Sequence, residues 1–108
     1  FGAATIRLQK RFRLVPRGVA VCFTCATFPT WNAFPAMFAS LATGNAVIVK
    51  PHSNGILPAA ITVRTIRAVL AENGIDPNLV TLCVAEKRSV TQALSQHESV
   101  KSTPSWLA

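Results

Sequence analysis

What this sequence lacks first is charge. Lys, Arg, Asp and Glu together supply 14% of its residues, little for a small domain whose surface is mostly exposed. From Gly18 to Val49 no residue is charged. Such a shortage implies that part of the chain is meant to be covered, by a partner or by further sequence. A run this long without charge raises a membrane span, but Pro29, Asn32, Pro35, Gly44 and Asn45 interrupt it. Breakers so placed suit two strands and a helix in a protein core better than one lipid-facing helix. No basic stretch leads into a compact apolar segment with a small-residue cleavage site, so no secretory signal is expected. Internal repeats and low-complexity segments are also absent. Half of the 108 residues are apolar, enough for one small core.

Acidic residues are few: four Asp and Glu stand against eleven Lys and Arg, a formal charge of +7. Arg7, Lys10, Arg11, Arg13 and Arg17 gather near the amino terminus. On charge alone this would suit nucleic acid. The pattern argues otherwise. Ile6, Leu8, Phe12 and Leu14 alternate with Arg7, Gln9, Arg11 and Arg13, the period of a strand with one covered and one solvated face. Lys10 is the exception on the apolar side. Phe12 is the one aromatic interleaved with the cations, too few to stack bases.

The three cysteines form no metal or redox pattern. Cys22 and Cys25 have the spacing of a ligand pair, but on a strand positions three apart point to opposite faces. His52 and His97 form no recognisable pair with them. Small thiols in a reducing compartment, the cytoplasm, are expected instead, with no metal site.

What is present alternates between two periods. Val19 to Thr24 reads as an apolar strand. Thr30 to Ala42 reads as a helix, with Trp31, Phe34, Phe38 and Leu41 recurring at three- and four-residue spacing and Gly44 as its stop. Pro35 kinks that helix or marks its first turn. Ala46 to Val49 is a strand apolar enough to be covered on both faces. After a loop from Lys50 to Gly55, a helix is expected over residues 57–73. Leu57, Ala60, Ile61, Thr65, Ala68 and Val69 would face inward, and Arg64 and Arg67 outward. Asn73-Gly74 stops it, and Asp76-Pro77-Asn78 is a turn. Leu79 to Val84 is a third strand, Val90 to Gln96 a third helix, and Ser99 to Ser102 the start of a fourth strand. The β-α-β-α-β-α-β order implies a parallel sheet with right-handed crossovers.

Taken in order, Arg17-Gly18-Val19, Phe28-Pro29, Leu41 to Pro51 and Asn73 to Thr81 resemble the cofactor-binding domain of aldehyde dehydrogenases. The wording of Thr27 to Asn32, with Lys50-Pro51-His52, most resembles the phenylacetic acid degradation branch. The similarity spans roughly Lys10 to Val84. It implies an α/β fold, an incomplete Rossmann-like parallel sheet with flanking helices. Residues 1–16 would form a basic strand or arm, and 17–108 a partial NAD(P)-binding domain. The activity implied is oxidation of an aldehyde with NADP or NAD.

The resemblance also assigns residues. Lys50 would contact the adenosine ribose, with His52 and Ser53 beside it. Many NAD-preferring relatives carry a glutamate where Ser53 stands, and its loss removes repulsion against a ribose 2′-phosphate. The backbone of Phe23, Thr24, Cys25 and Ala26 would run beside the nicotinamide half. Thr27 takes the place of an asparagine that helps stabilise an oxyanion; its hydroxyl donates one hydrogen bond from a shorter side chain. A second reading makes Thr27 a helix N-cap. The family's nucleophilic cysteine and general-base glutamate lie downstream of this region, and Cys22, Cys25 and Cys83 match neither. The glycine turn after the fourth strand is missing, as if a segment were lost between Ser102 and Trp106. The expectation is therefore a dehydrogenase fragment, inactive alone and at most a weak cofactor binder. Aldehyde binding and homo-oligomers would belong to a full-length parent. The alternative is a non-catalytic module whose basic amino-terminal strand adds to a partner's sheet edge.

Overall fold

The computed structural model describes residues 2–102. The segment suspected of loss between Ser102 and Trp106 falls outside them. Four strands form one parallel sheet: β1 (Val19–Phe23), β2 (Ala46–Lys50), β3 (Val80–Leu82) and β4 (Val100–Ser102), in the order β3-β2-β1-β4. Helices α1 (Pro29–Ala42), α2 (Ile56–Glu72) and α3 (Arg88–Gln96) connect them. β1 and β2 are in register from Val19 opposite Ala46 to Phe23 opposite Lys50. This is the expected α/β architecture. The third strand is shorter than expected at both ends: the turn at Asp76 continues as a 3-10 turn over Pro77–Leu79, and the strand stops at Leu82, before Cys83 and Val84.

Alternation decides which side chains meet the helices. Ala20, Cys22, Val47, Val49 and Val80 share one face and bury against Met37 of α1 and Ala59 and Val63 of α2. The chain then crosses back from β3 to β4, beyond β1. Right-handed connection puts α3 on the other face, with Val21, Ile48 and Lys50. That face is less fully covered: Ile48 is half-buried, although Val47 and Val49 beside it are buried. The expectation that β2 is covered on both faces therefore holds for one of them.

Neither long helix buries the whole set that its spacing picks out, although Leu41 of α1 does pack on the core. α1 buries Ala33 and Met37, while Trp31 is 73% exposed and Phe34 and Phe38 are also on the outside. Small residues let a helix approach a sheet closely, and the aromatics are left outside. Phe28 packs edge-on to Trp31 at 5.9 Å, and Phe34 tilts against Phe38 at 5.5 Å. In α2, Ala59 and Val63 are buried and Ile66 and Leu70 pack on the core, whereas Leu57, Ile61 and Val69 are exposed. Arg67 is not a solvated cation. Its guanidinium donates to Pro77 O at 2.9 Å, Val80 O at 2.8 Å and Asn78 Oδ1 at 3.2 Å, clamping the 3-10 turn and β3 to the helix.

The amino-terminal segment does not form the expected strand. Among the described residues no ladder includes a residue before Val19, so nothing supplies the hydrogen bonds a strand needs. Ile6, Leu8 and Phe12 are 81%, 92% and 83% exposed. Lys10, the exception to the alternation, holds its ammonium 5.0 Å from the Phe12 ring centroid. The arm is anchored where it meets the sheet, with Pro16 packed over Gly44.

Candidate functional site

All four strands run the same way, so their carboxyl ends share one edge of the sheet. In open parallel sheets ligands bind outside that edge. Lys50 is the last residue of β2 and alternates with Val49, which places it on the α3 face. Pro51 follows and is buried. His52 turns the chain, its Nδ1 accepting the Asn54 N–H at 3.1 Å and capping the one-turn helix Ser53–Gly55. This is the loop expected between Lys50 and Gly55, tightened into a 3-10 turn.

Lys50, His52 and Ser53 line one cleft of about 410 Å³. Its far wall is Ala85, Glu86, Arg88 and Thr91, from the β3–α3 connection and the first turns of α3. The sequence reading missed these four. They lie more than thirty residues from Lys50 along the chain, and only the crossover from β3 brings them across. The Lys50 ammonium donates to Pro51 O at 3.3 Å, which holds it at the rim. A second pocket of about 240 Å³, lined by Arg17, Asn45 and Lys101 among others, opens where the strands begin.

The remaining expected site residues stand at the neighbouring strand end. Phe23 pairs with Lys50, and the ladder runs on as Thr24 N donates to Lys50 O at 3.2 Å and His52 N to Thr24 O at 3.1 Å. Thr24 is 6% exposed and follows Ala20 and Cys22 in phase, so its side chain faces the core. Among the described residues its Oγ1 has no hydrogen-bond partner. At the edge Thr24 contributes its backbone, already bonded to Lys50 and His52, and not its hydroxyl. Gly55 brings the two strand ends together: a Cβ there would meet Pro29 Cβ at 3.0 Å and Cys25 O at 3.4 Å.

Ala26 and Thr27 are exposed in the loop between β1 and α1. Thr27 does not cap the helix. The N-cap position falls on Phe28, which makes no side-chain cap bond, and Pro29 follows at the first turn. The loop is instead held by Asn32, whose Oδ1 accepts the Cys25 N–H at 3.3 Å. Cys25 lies beyond the end of β1. Its Sγ accepts the Phe28 N–H at 3.4 Å and lies 3.7 Å from the Thr27 hydroxyl. The Phe28 N–H, with a smaller contribution from Thr27, lowers its thiol below the ordinary range. Burial pushes the Cys22 thiol the other way, up to about 11. Among the described residues no three His, Cys, Asp or Glu side chains stand close enough to hold a metal ion. No described helix is long and apolar enough to cross a membrane.

The sequence and the fold both have counterparts. Residues 5–103 match the profile of the aldehyde dehydrogenase family. Over 86 residues the chain is 34% identical to the bifunctional protein PutA of Klebsiella aerogenes, which is 80% of this chain and 6% of that one. The crystal structure of an NAD-dependent aldehyde dehydrogenase from Burkholderia multivorans superposes with a TM-score of 0.79 at 53% identity. That match covers 82% of this chain and 16% of its counterpart. The chain thus spans a small part of the length of the proteins it matches.

Proposed function

The chain belongs to the aldehyde dehydrogenase family, and from that premise we propose that it supplies the dinucleotide-binding part of an NAD(P)-dependent oxidation of an aldehyde. The cleft at the carboxyl edge carries this reading. It gathers an ammonium, a hydroxyl and an imidazole from the end of β2 opposite the start of α3. Lys50 and Ser53 would hold the adenosine ribose, with His52 fixing the turn between them. The backbone of Phe23, Thr24, Cys25 and Ala26 would follow the cofactor toward its reactive end. Thr27 would offer its hydroxyl to a developing oxyanion. A bound dinucleotide supplies the hydride acceptor; the chain's own residues bind and orient it.

The wording of Thr27 to Asn32 supports an aldehyde from the degradation of phenylacetate or related aromatic compounds. Thioester or acid formation needs a nucleophile, a base and oxyanion donors held together. Cys22 is buried with its thiol pushed up to about 11, the reverse of an activated nucleophile. The lowered thiol of Cys25 accepts the Phe28 N–H, and by the resemblance neither Cys25 nor Cys83 stands where the family's nucleophile does. We therefore assign this chain cofactor binding without turnover, in the cytoplasm, with residues 17–108 as the partial binding domain. Ahead of that domain lies the basic arm, and its exposed alternating face favours the second reading, a non-catalytic module whose arm adds as a strand to a partner's sheet edge.

Calorimetry with NADP and with NAD, run beside an absorbance assay for their reduction by several aldehydes, tests the assignment. Weak binding that is lost in Lys50→Ala, with no turnover above a heat-denatured control, is the expected result. Binding that survives Lys50→Ala removes the cleft from the site. Turnover by the chain alone overturns the claim of inactivity.

A further inference from the structure

We propose that the pocket at the amino ends of the strands is a binding site for a small organic carboxylate, an acid group on a compact apolar body. It lies at the opposite edge of the sheet from the Lys50 cleft and does not rest on the reading of that cleft. The pocket holds about 240 Å³ between the start of β1, β4 and the last turn of α1. Arg17 and Lys101 line it, and no Asp or Glu does. Val19, Ala20 and Ala39 supply apolar lining, and Ser40 brings a hydroxyl that can donate. An apolar hollow with a few convergent polar groups is how small-molecule sites are built. This one is smaller than the clefts of about 300–1,000 Å³ that bury drug-sized ligands, so its ligand is small.

Two features of the backbone place Lys101 there. Val19 pairs with Val100 but Ala20 with Ser102, so Lys101 is an extra residue in β4, and such a bulge re-aims a side chain. Gly18 makes room for its stem. A Cβ at Gly18 would stand 3.2 Å from Lys101 Cγ and 3.0 Å from Ser99 O. Arg17 is anchored through its backbone, whose N–H donates to Asn45 Oδ1 at 2.7 Å, so its guanidinium is not needed for that tie. The carboxyl end of α1 opposes a negative ligand. Its carbonyls are already covered, however. Thr43 Oγ1 donates to Ala39 O at 2.8 Å and to Ser40 O at 3.1 Å, and Asn45 Nδ2 donates to Ser40 O at 3.3 Å. The field that remains weighs more on a dianion than on a monoanion, which favours a carboxylate over a phosphate. A guanidinium takes both oxygens of a carboxylate in its fork, and an ammonium beside it adds a point charge.

Benzoate, titrated into the isotope-labelled 108-residue chain and followed by amide chemical shifts, tests this. Benzamide has its shape without its charge, acetate its charge without its ring, and inorganic phosphate more charge and no apolar body. Benzoate is expected to shift the amides of Gly18, Ala20 and Ser40 saturably. It is expected to bind about ten-fold tighter than each comparator. Arg17→Gln and Lys101→Gln are each expected to remove most of that preference. Both side chains are exposed, and Arg17→Gln keeps the backbone bond to Asn45, so circular dichroism should show a folded chain. The ligand series on the unsubstituted chain decides by itself should either variant fail to fold. Benzamide binding as tightly as benzoate overturns the reading of an anion by the two cations. Acetate or phosphate binding as tightly overturns it in favour of a bare cationic patch. Shifts centred on Lys50 and His52 overturn it in favour of the other cleft. A preference that survives both substitutions, or no saturable shift with benzoate, overturns it outright.

Discussion

Asn45 joins three parts of the fold with one amide. Its Oδ1 accepts the Arg17 N–H at 2.7 Å and the Gly18 N–H at 3.0 Å. Its Nδ2 donates to Ser40 O at 3.3 Å and to Thr43 Oγ1 at 2.9 Å. The lead-in to β1, the last turn of α1 and the start of β2 are therefore tied at one point. Gly44, at φ 87°, provides the left-handed turn that aims Asn45 there. The run from Ala42 to Pro51 thus has two jobs. Its glycine and asparagine end fixes β1 beside β2, and its lysine end faces the cleft. Replacing Asn45 with Ala removes four hydrogen bonds, but Arg17 and Gly18 are exposed and water takes up part of the loss. The expected cost is about 2 kcal/mol, read as a lower urea midpoint with an unchanged slope. Asn45→Asp keeps the two accepted bonds yet loses both donated ones, and it sets a negative charge by the carboxyl end of α1. It should be no better than Asn45→Ala, and a wild-type midpoint in either variant would show the tie to be dispensable.

At the scale of elements, the succession of the four sheet strands along the chain was legible, and the helix faces, the place of each strand in the sheet and the unpaired state of the arm were not. Val19 to Phe23 and Ala46 to Lys50 are short apolar runs closed by glycine or proline, and no other element fits them. Helical periodicity fixed the extent of α1 to within a residue but picked out a set of which only Leu41 packs against the buried cluster. Both sides of α1 are apolar, and aromatics outweigh Ala33, Ala36 and Met37 in hydropathy. Close packing on a sheet rewards the smaller set. The same error displaced α2 by about half a turn. For the candidate cleft, the place of Lys50 at the carboxyl edge was legible because a lone cation ends a buried strand. Arg88 was not, because it faces Lys50 only through the crossover from β3. A pair of substitutions separates the two faces of α1. Met37 is fully buried, and Met37→Ala should cost about 3 kcal/mol through the cavity it leaves. Trp31→Ala should cost less than about 1 kcal/mol, mostly its edge-on contact with Phe28. Thermal melts of the two variants giving the reverse order would restore the aromatic stripe as the core face.

The described residues span 69 × 31 × 26 Å, far longer than a packed domain of this size. The arm makes the difference. It carries five exposed apolar residues, Ile6, Leu8, Phe12, Leu14 and Val15, in front of a core that starts at Val19. Exposed aromatics on α1 and apolar residues on α2 add to the uncovered surface. Surface of this kind on a chain matching 16% of the Burkholderia structure favours burial against further protein. Where the arm stops and the domain starts can be measured with trypsin. Arg7, Lys10, Arg11 and Arg13 are exposed and outside any ladder, so cleavage after them needs no unfolding. The bond after Arg17 is different. Asn45 holds the N–H on either side of it, and Pro16 is packed on Gly44. Cleavage there requires the start of β1 to open. The first stable product should therefore begin at Leu14, and its urea midpoint should match that of the intact chain. A product beginning at Gly18 at equal speed would mean the anchor does not hold. Protection of the arm sites that grows with protein concentration would identify a second copy as its cover.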